Sequence, residues 1–197
     1  FDAFMNAFNA AGVSYQVELI TTDSSSFVGD IITNSTPDPV VEFNNQVDSI
    51  GTSGSAHEKG LWYAYESTTT GDASPGSSTG FQRSAARLVV VYVSDEPDFS
   101  DHAYGSGGSS TMGPSDYSAS LLSLKSSSDL VVAHAISGDY PSGCTANGGA
   151  QFGEGYYDVV SDLGGTFMSI CASDWSATMD TLARESLSQL GFALSER

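Results

Sequence analysis

The sequence predicts a doubly wound α/β fold, in which a mostly parallel sheet carries helices on both faces. Three observations carry that expectation. Leu88-Val89-Val90-Val91-Tyr92-Val93 is an unbroken apolar, β-branched run, as a parallel strand needs when helices cover both of its faces. Leu130-Val131-Val132-Ala133-His134-Ala135-Ile136 is a second run of the same kind. Between such runs lie stretches with helical periodicity, long enough for crossovers, so strand and helix alternate along the chain. No internal repeat interrupts the pattern, and 197 residues predict a single domain over 1–197.

The elements follow in order. Phe1, Phe4, Met5 and Phe8 fall at i, i+3, i+4 and i+7, one apolar stripe of a helix that Gly12 ends. A chain rarely starts inside a helix without a cap, so residues upstream of Phe1 are expected. Val13 to Ile20 reads as a strand with Val13, Tyr15, Val17 and Leu19 on one face, forming a hairpin with Phe27 to Thr33. After the Thr36-Pro37-Asp38-Pro39 loop, helices are predicted over Val40–Ser49 and from Ser55 through Tyr65, with Thr68 to Gly80 an exposed loop. The Leu88 strand ends in Ser94-Asp95-Glu96, and a Gly/Ser loop from Ser100 to Pro114 leads to a helix over Ser115–Leu124. Beyond the Leu130 strand come a Cys144-containing loop and a helix over Ala150–Leu163 capped by Gly164-Gly165. A strand over Thr166–Cys171 and a helix over Trp175–Leu190, with Met179, Leu182, Leu187 and Leu190 facing inwards, complete the chain.

Charge narrows the function classes. Lys and Arg total 6 against 24 acidic residues, a formal net charge of −18. Such a surface repels phosphate backbones and anionic lipid, so nucleic acid and membrane surfaces are poor partners. No apolar run reaches the length of a membrane span, and the opening residues are not a signal peptide. Cys144 and Cys171 can form one disulfide. The acidic, Ser/Thr-rich composition points to an oxidising compartment, extracellular, at the cell surface or periplasmic. With no histidine nearby they make a poor zinc site.

Ligands of doubly wound sheets bind beyond the carboxyl ends of the strands. Two segments should meet there: Gly51-Thr52-Ser53-Gly54-Ser55 and Ser94-Asp95-Glu96-Pro97-Asp98. Hydroxyls and carboxylates at one rim are hard oxygen donors, suited to Mg²⁺ or Ca²⁺. Each segment also has an ordinary reading, Thr52 or Ser53 as a helix cap and Asp95 as an acceptor for loop amides. Catalytic readings are thin. A Gly-x-Ser-x-Gly elbow fails because Ser55 stands at its last position. A hydrolytic set of Ser53, His57 and Asp95 is the surviving enzymatic alternative. His57, His102 and His134 are scattered, and His134, inside an apolar strand, reads as a core residue. Gly105 to Ser110 lacks the lysine and spacing of a phosphate loop.

The Gly-Thr-Ser-Gly-Ser segment with Glu58-Lys59-Gly60-Leu61, the strand ending in Ser94-Asp95-Glu96, and the Cys144 to Ser169-Ile170-Cys171 arrangement together resemble bacterial von Willebrand factor A domains. The resemblance covers nearly the whole chain. It implies a metal-ion-dependent adhesion site with Thr52 as a direct ligand and Asp95 as an outer acceptor, supported by Ser53 and Glu96. The family's Asp-x-Ser-x-Ser segment has no counterpart here, so the site is incomplete and the central first strand of the sheet is missing from this chain. The implied function is an extracellular protein-binding or adhesion module, not an enzyme, whose Mg²⁺ or Ca²⁺ is completed by an acidic side chain of a protein ligand. The alternative is a structural subunit of a surface appendage or filament. The resemblance also implies that the Val13 and Leu88 strands flank the missing strand. The chain alone is then not expected to fold as an ordinary monomer unless a separate polypeptide or a neighbouring subunit donates a strand.

Overall fold

The computed structural model describes residues 2–100 and 111–188. His102, Gly105 to Ser110 and Leu190 lie outside the described residues, as does Phe1. Along the chain come α1 (Asp2–Ala11), β1 (Gln16–Val17), β2 (Ile32–Thr33), α2 (Pro39–Ile50), α3 (Gly60–Thr69), β3 (Leu88–Val93), α4 (Pro114–Ser123), β4 (Val131–Ser137), α5 (Tyr156–Asp162), β5 (Phe167–Ser169) and α6 (Trp175–Ser188).

The two apolar runs become the parallel strands that their composition predicts. β3 pairs with β4 from Leu88↔Val131 to Val93↔Ile136, and β4 pairs with β5 from Ala135↔Phe167 to Ser137↔Ser169, all in parallel. The order β3-β4-β5 puts β4 in the middle, and all seven of its residues are buried. Alternation along β4 divides the apolar interior in two. Val131, Ala133 and Ala135 join Leu61, Tyr117, Leu121, Tyr156 and Val159 on one face, under α3, α4 and α5. Ile136 joins Phe4, Met5, Phe43, Met179 and Leu182 on the other, under α1, α2 and α6. Helices therefore cover both faces of a three-stranded parallel sheet. α1 and α6 pack closely, as their apolar stripes require: Phe4, Met5, Met179 and Leu182 are all buried.

Several expectations need correction. The Val13–Ile20 and Phe27–Thr33 strands pair antiparallel only over Gln16↔Thr33 and Val17↔Ile32, a separate sheet not bonded to the parallel one. In place of a longer ladder, Asp23 N donates to Thr21 Oγ1 at 3.2 Å and Ser26 N to Ser24 Oγ at 3.2 Å, and Asp30 O accepts from Gln46 Nε2 of α2 at 2.9 Å. The helix predicted from Ser55 starts at Gly60. Ser55 N donates to the Asp23 carboxylate at 2.8 Å and Lys59 N to Thr22 O at 3.1 Å, so the backbone of 55–59 is already engaged elsewhere. The helix predicted from Ala150 starts at Tyr156. Ala150 and Phe152 bridge to Cys144 and Gly138, and Gly155 has φ +87°, which no helix accommodates. Strand Thr166–Cys171 shortens to Phe167–Ser169. The Thr68–Gly80 loop is not uniformly exposed, since Thr68 and Ala73 are buried.

Two further readings stand. Cys144 and Cys171 are disulfide-bonded, with Cα atoms 6.3 Å apart, and the bond fastens the loop after β4 to the end of β5. His134 is a core residue, 1% exposed, whose Nδ1 accepts from Thr166 N at 3.1 Å. With Nδ1 accepting, the ring proton sits on Nε2, which is buried without a partner. Beside it β4 and the strand approach closely: a Cβ on Gly165 would lie 1.7 Å from Ala133 O, so only glycine fits.

Candidate functional site

The carboxyl end of β3 forms the site. Ser94, the first residue past the strand, is buried; Asp95 is exposed and Glu96 half-buried. The Ser94 hydroxyl donates to the Glu58 carboxylate and accepts from Glu96 N at 3.1 Å, which closes the turn and holds Glu58 under it. Burial pushes the Glu58 carboxyl above its ordinary value. The Ser94 bond opposes that shift, while the charges of Asp95, Glu96 and Asp23 add to it. Four carboxylates thus gather at this rim.

The facing wall is the segment 51–57, seven consecutive exposed residues. It is tied down by the Ser55–Asp23 bond, and the His57 ring meets the Phe99 ring edge-on at 5.0 Å. Thr52, Ser53, Asp95 and Glu96, the side chains singled out from sequence, all line one cavity of about 1,360 Å³. That cavity continues down the whole length of β3, with the segment from Gly12 to Asp23 forming its opposite side. Arg83, Arg87 and Lys125, three of the chain's six basic residues, line its other end. Burial lowers the pKa of both Arg87 and Lys125.

Asp98, the last residue of the segment noted after the strand, has a role that its sequence context does not reveal. It is 2% exposed. Its Oδ1 accepts from Leu61 N at 3.0 Å and from Ser100 Oγ at 2.9 Å, and its Oδ2 accepts from Ser100 N at 2.9 Å. Ser100 Oγ in turn accepts from Trp62 N at 2.8 Å, and the Tyr156 hydroxyl accepts from Gly60 N at 3.3 Å. Lys59 stands at the cap position of α3 with no side-chain cap bond. The open N–H groups of that helix are therefore met by a loop nearly forty residues on, and a carboxylate there also suits the helix dipole. Asp98 fastens the rim loop to α3; Asp95, three residues before it, stays exposed. The rim is fastened on its other side too, where Gln151 N donates to Asp95 O at 2.9 Å.

The donor set is chemically right for a hard cation but partial. Among the described residues, no group of three or more His, Cys, Asp or Glu side chains is placed to hold a metal ion. Thr52 and Ser53 are exposed, and the rim by itself offers hydroxyls and carboxylates without a closed coordination shell. No hydrogen bond joins the side chains of Ser53, His57 and Asp95, all of them described residues; the His57 backbone N donates instead to Ser55 Oγ at 3.1 Å. No described helix is long and apolar enough to cross a membrane.

Compared with protein-family models, with curated proteins and with solved structures, the chain shows no significant match, so its reading rests on its own residues and geometry.

Proposed function

We propose that this chain is an extracellular protein-binding module of von Willebrand factor A type, whose contact surface is the rim beyond β3 and the cavity that opens from it. One observation carries the reading. Thr52, Ser53, Asp95 and Glu96, from segments some forty residues apart, wall a single cavity larger than the roughly 300–1,000 Å³ of an ordinary small-molecule site. The disulfide supports an oxidising location. In this reading Mg²⁺ or Ca²⁺ is held jointly, by Thr52 and Asp95 on one side and by an acidic side chain of the protein ligand on the other. Ser53 and Glu96 support the pair. The partial donor set of the rim is what such sharing requires.

Melting the chain with and without MgCl2 or CaCl2, in the presence of a short acidic peptide, tests the cation. Either salt is expected to raise Tm for the wild type but not for Thr52→Ala or Asp95→Ala, since a ligand that binds only the folded state stabilises it. A response that survives both substitutions, or no response at all, removes the cation from the reading.

A further inference from the structure

Four aromatic rings that do not line the cavity gather around the chain leaving β4: Tyr140, Phe152, Tyr157 of α5 and Phe167 of β5. Tyr140 and Tyr157 are stacked, with centroids 4.8 Å apart and planes 22° from parallel. Phe152 lies 5.3 Å from the first and 5.7 Å from the second, steeply inclined to both. Three nearly equal separations make a triangle, so Phe152 stands beside the stack and not over the outer face of Tyr140. Phe167 backs Tyr157 at 5.3 Å and Phe152 at 6.3 Å. Tyr140 is therefore the outermost ring of the group, covered on one face by Tyr157 and open on the other. At 62% it is the most exposed large hydrophobic side chain among the described residues.

The loop that presents this ring is fastened at several points. Gly143 N donates to Asp139 O at 2.7 Å, closing a turn around Tyr140. Gly153 N donates to Gly138 O at 3.2 Å, and Cys144 and Ala150 exchange two backbone bonds of 2.9 Å. The two stretches lie so close that a Cβ on Gly138 would sit 1.8 Å from Gln151 O. The disulfide then ties Cys144 to the chain beyond β5. A ring held this firmly gives up little freedom when a partner covers it.

Its neighbours specify what the open face accepts. The face of an aromatic ring carries the negative part of its quadrupole. Asp139 precedes Tyr140, Glu154 follows Phe152 by two residues, and Asp158 follows Tyr157 by one; Glu154 and Asp158 are exposed. Among the described residues the ion pair of Arg184 with Asp180 lies on α6, and no ion pair involves these three carboxylates. With 6 basic residues against 24 acidic ones, the chain has few cations of its own to offer. Arginine suits the place better than lysine, because a planar guanidinium lies flat on a tyrosine face while its in-plane N–H groups donate to carboxylates.

We propose that the open face of Tyr140, with the carboxylates of Asp139, Glu154 and Asp158 beside it in the chain, is a docking site for an arginine side chain of a partner polypeptide. The site goes beyond the rim reading and needs no metal ion.

The test titrates the full chain, in EDTA at low salt, with a blocked Gly-Arg-Gly-Arg-Gly peptide, and follows heat and the ring proton resonances of Tyr140 and Tyr157. Binding is expected, with both rings shifted. The same peptide with citrulline for arginine keeps the shape and loses the charge, and should bind at least fivefold more weakly. Tyr140→Leu keeps every carboxylate but removes the π face, and should also lose at least fivefold, within the range of a single cation–π contact. Tyr140→Phe should bind within about twofold of wild type. No binding, or a loss smaller than fivefold with either the citrulline peptide or Tyr140→Leu, overturns the proposal. A neutral oligosaccharide that displaces the arginine peptide also overturns it, by making the face a sugar platform. Because EDTA removes the cation, failure here leaves the melting result at the rim standing, and failure there leaves this one standing.

Discussion

Replacing Asp98 by alanine should destabilise the fold far more than the same change at Asp95. The carboxylate is buried and accepts three hydrogen bonds, two of them from backbone amides, Leu61 N and Ser100 N, that have no water to turn to. Orphaning a buried donor costs about 1–3 kcal/mol. The negative charge at the start of α3 adds roughly 0.3–1 kcal/mol through the helix dipole. The expected loss for Asp98→Ala is therefore about 3–5 kcal/mol, a large part of the ~5–15 kcal/mol net stability typical of a domain. Asp98→Asn keeps one acceptor for Leu61 N but turns an amide N–H₂ towards Ser100 N, so its loss should be intermediate, about 2 kcal/mol. Asp95→Ala, on an exposed side chain, should stay within about 0.5 kcal/mol. Urea unfolding reads all three as shifts in midpoint at constant slope. An Asp98→Ala midpoint within about 1 kcal/mol of wild type, or an Asp95→Ala loss of equal size, would refute the assignment of Asp98 as the residue that fastens the rim loop to α3.

The remaining expectations concern the disulfide and pH. Replacing both Cys144 and Cys171 by serine opens a loop with a sequence separation of 27. Loop entropy then predicts a loss of about 3.5 kcal/mol, read as a midpoint shift relative to the oxidised wild type; an unchanged midpoint would mean that the loop is held equally well without the bond. Burial, assisted by the Arg87 charge, holds the His134 pKa at about 4 against an ordinary 6.5. Between those values the unfolded chain binds the extra proton, so stability should fall as pH drops from 6.5 towards 4, by on the order of 3 kcal/mol in all. Glu18 works in the opposite direction: burial pushes its pKa from 4.5 to about 7, so its contribution is lost as pH rises through that window. His134→Asn keeps an acceptor for Thr166 N and should flatten the acid limb of a stability-versus-pH curve; an unaltered slope would place that proton uptake elsewhere.

Much of the architecture is legible in local pattern. The boundaries of β3 follow from its own residues, because a six-residue apolar run between Arg87 and Ser94 leaves nowhere else to start or stop. α2 and α4 read correctly for a similar reason, since Pro39 and Pro114 sit in their first turns. What is not legible depends on partners distant in sequence. Ser55 to Lys59 has a helical pattern, yet Asp23 and Thr22 claim its amides. Asp95 and Asp98 look alike from sequence, and only the approach of α3 makes one a buried acceptor and leaves the other at the surface. A signal for Asp98 does exist in retrospect: α3 has no capping side chain of its own, so its first N–H groups must be met from elsewhere. The separation of β1 from β3 is of the same kind, for each segment reads as a strand and neither records what lies beside it.

The two tryptophans fall on opposite sides of β4. Trp62 packs against the layer of Leu61, Tyr117 and Tyr156, and Trp175 against the layer of Phe4, Met5 and Met179. Each indole therefore reports on one half of the interior, with its own emission and quenching. If β4 transmits unfolding from one half to the other, single-tryptophan variants will lose their native fluorescence along superimposable curves. If the halves can melt separately, the curves will part, and the order in which they do so will say which layer holds the other in place.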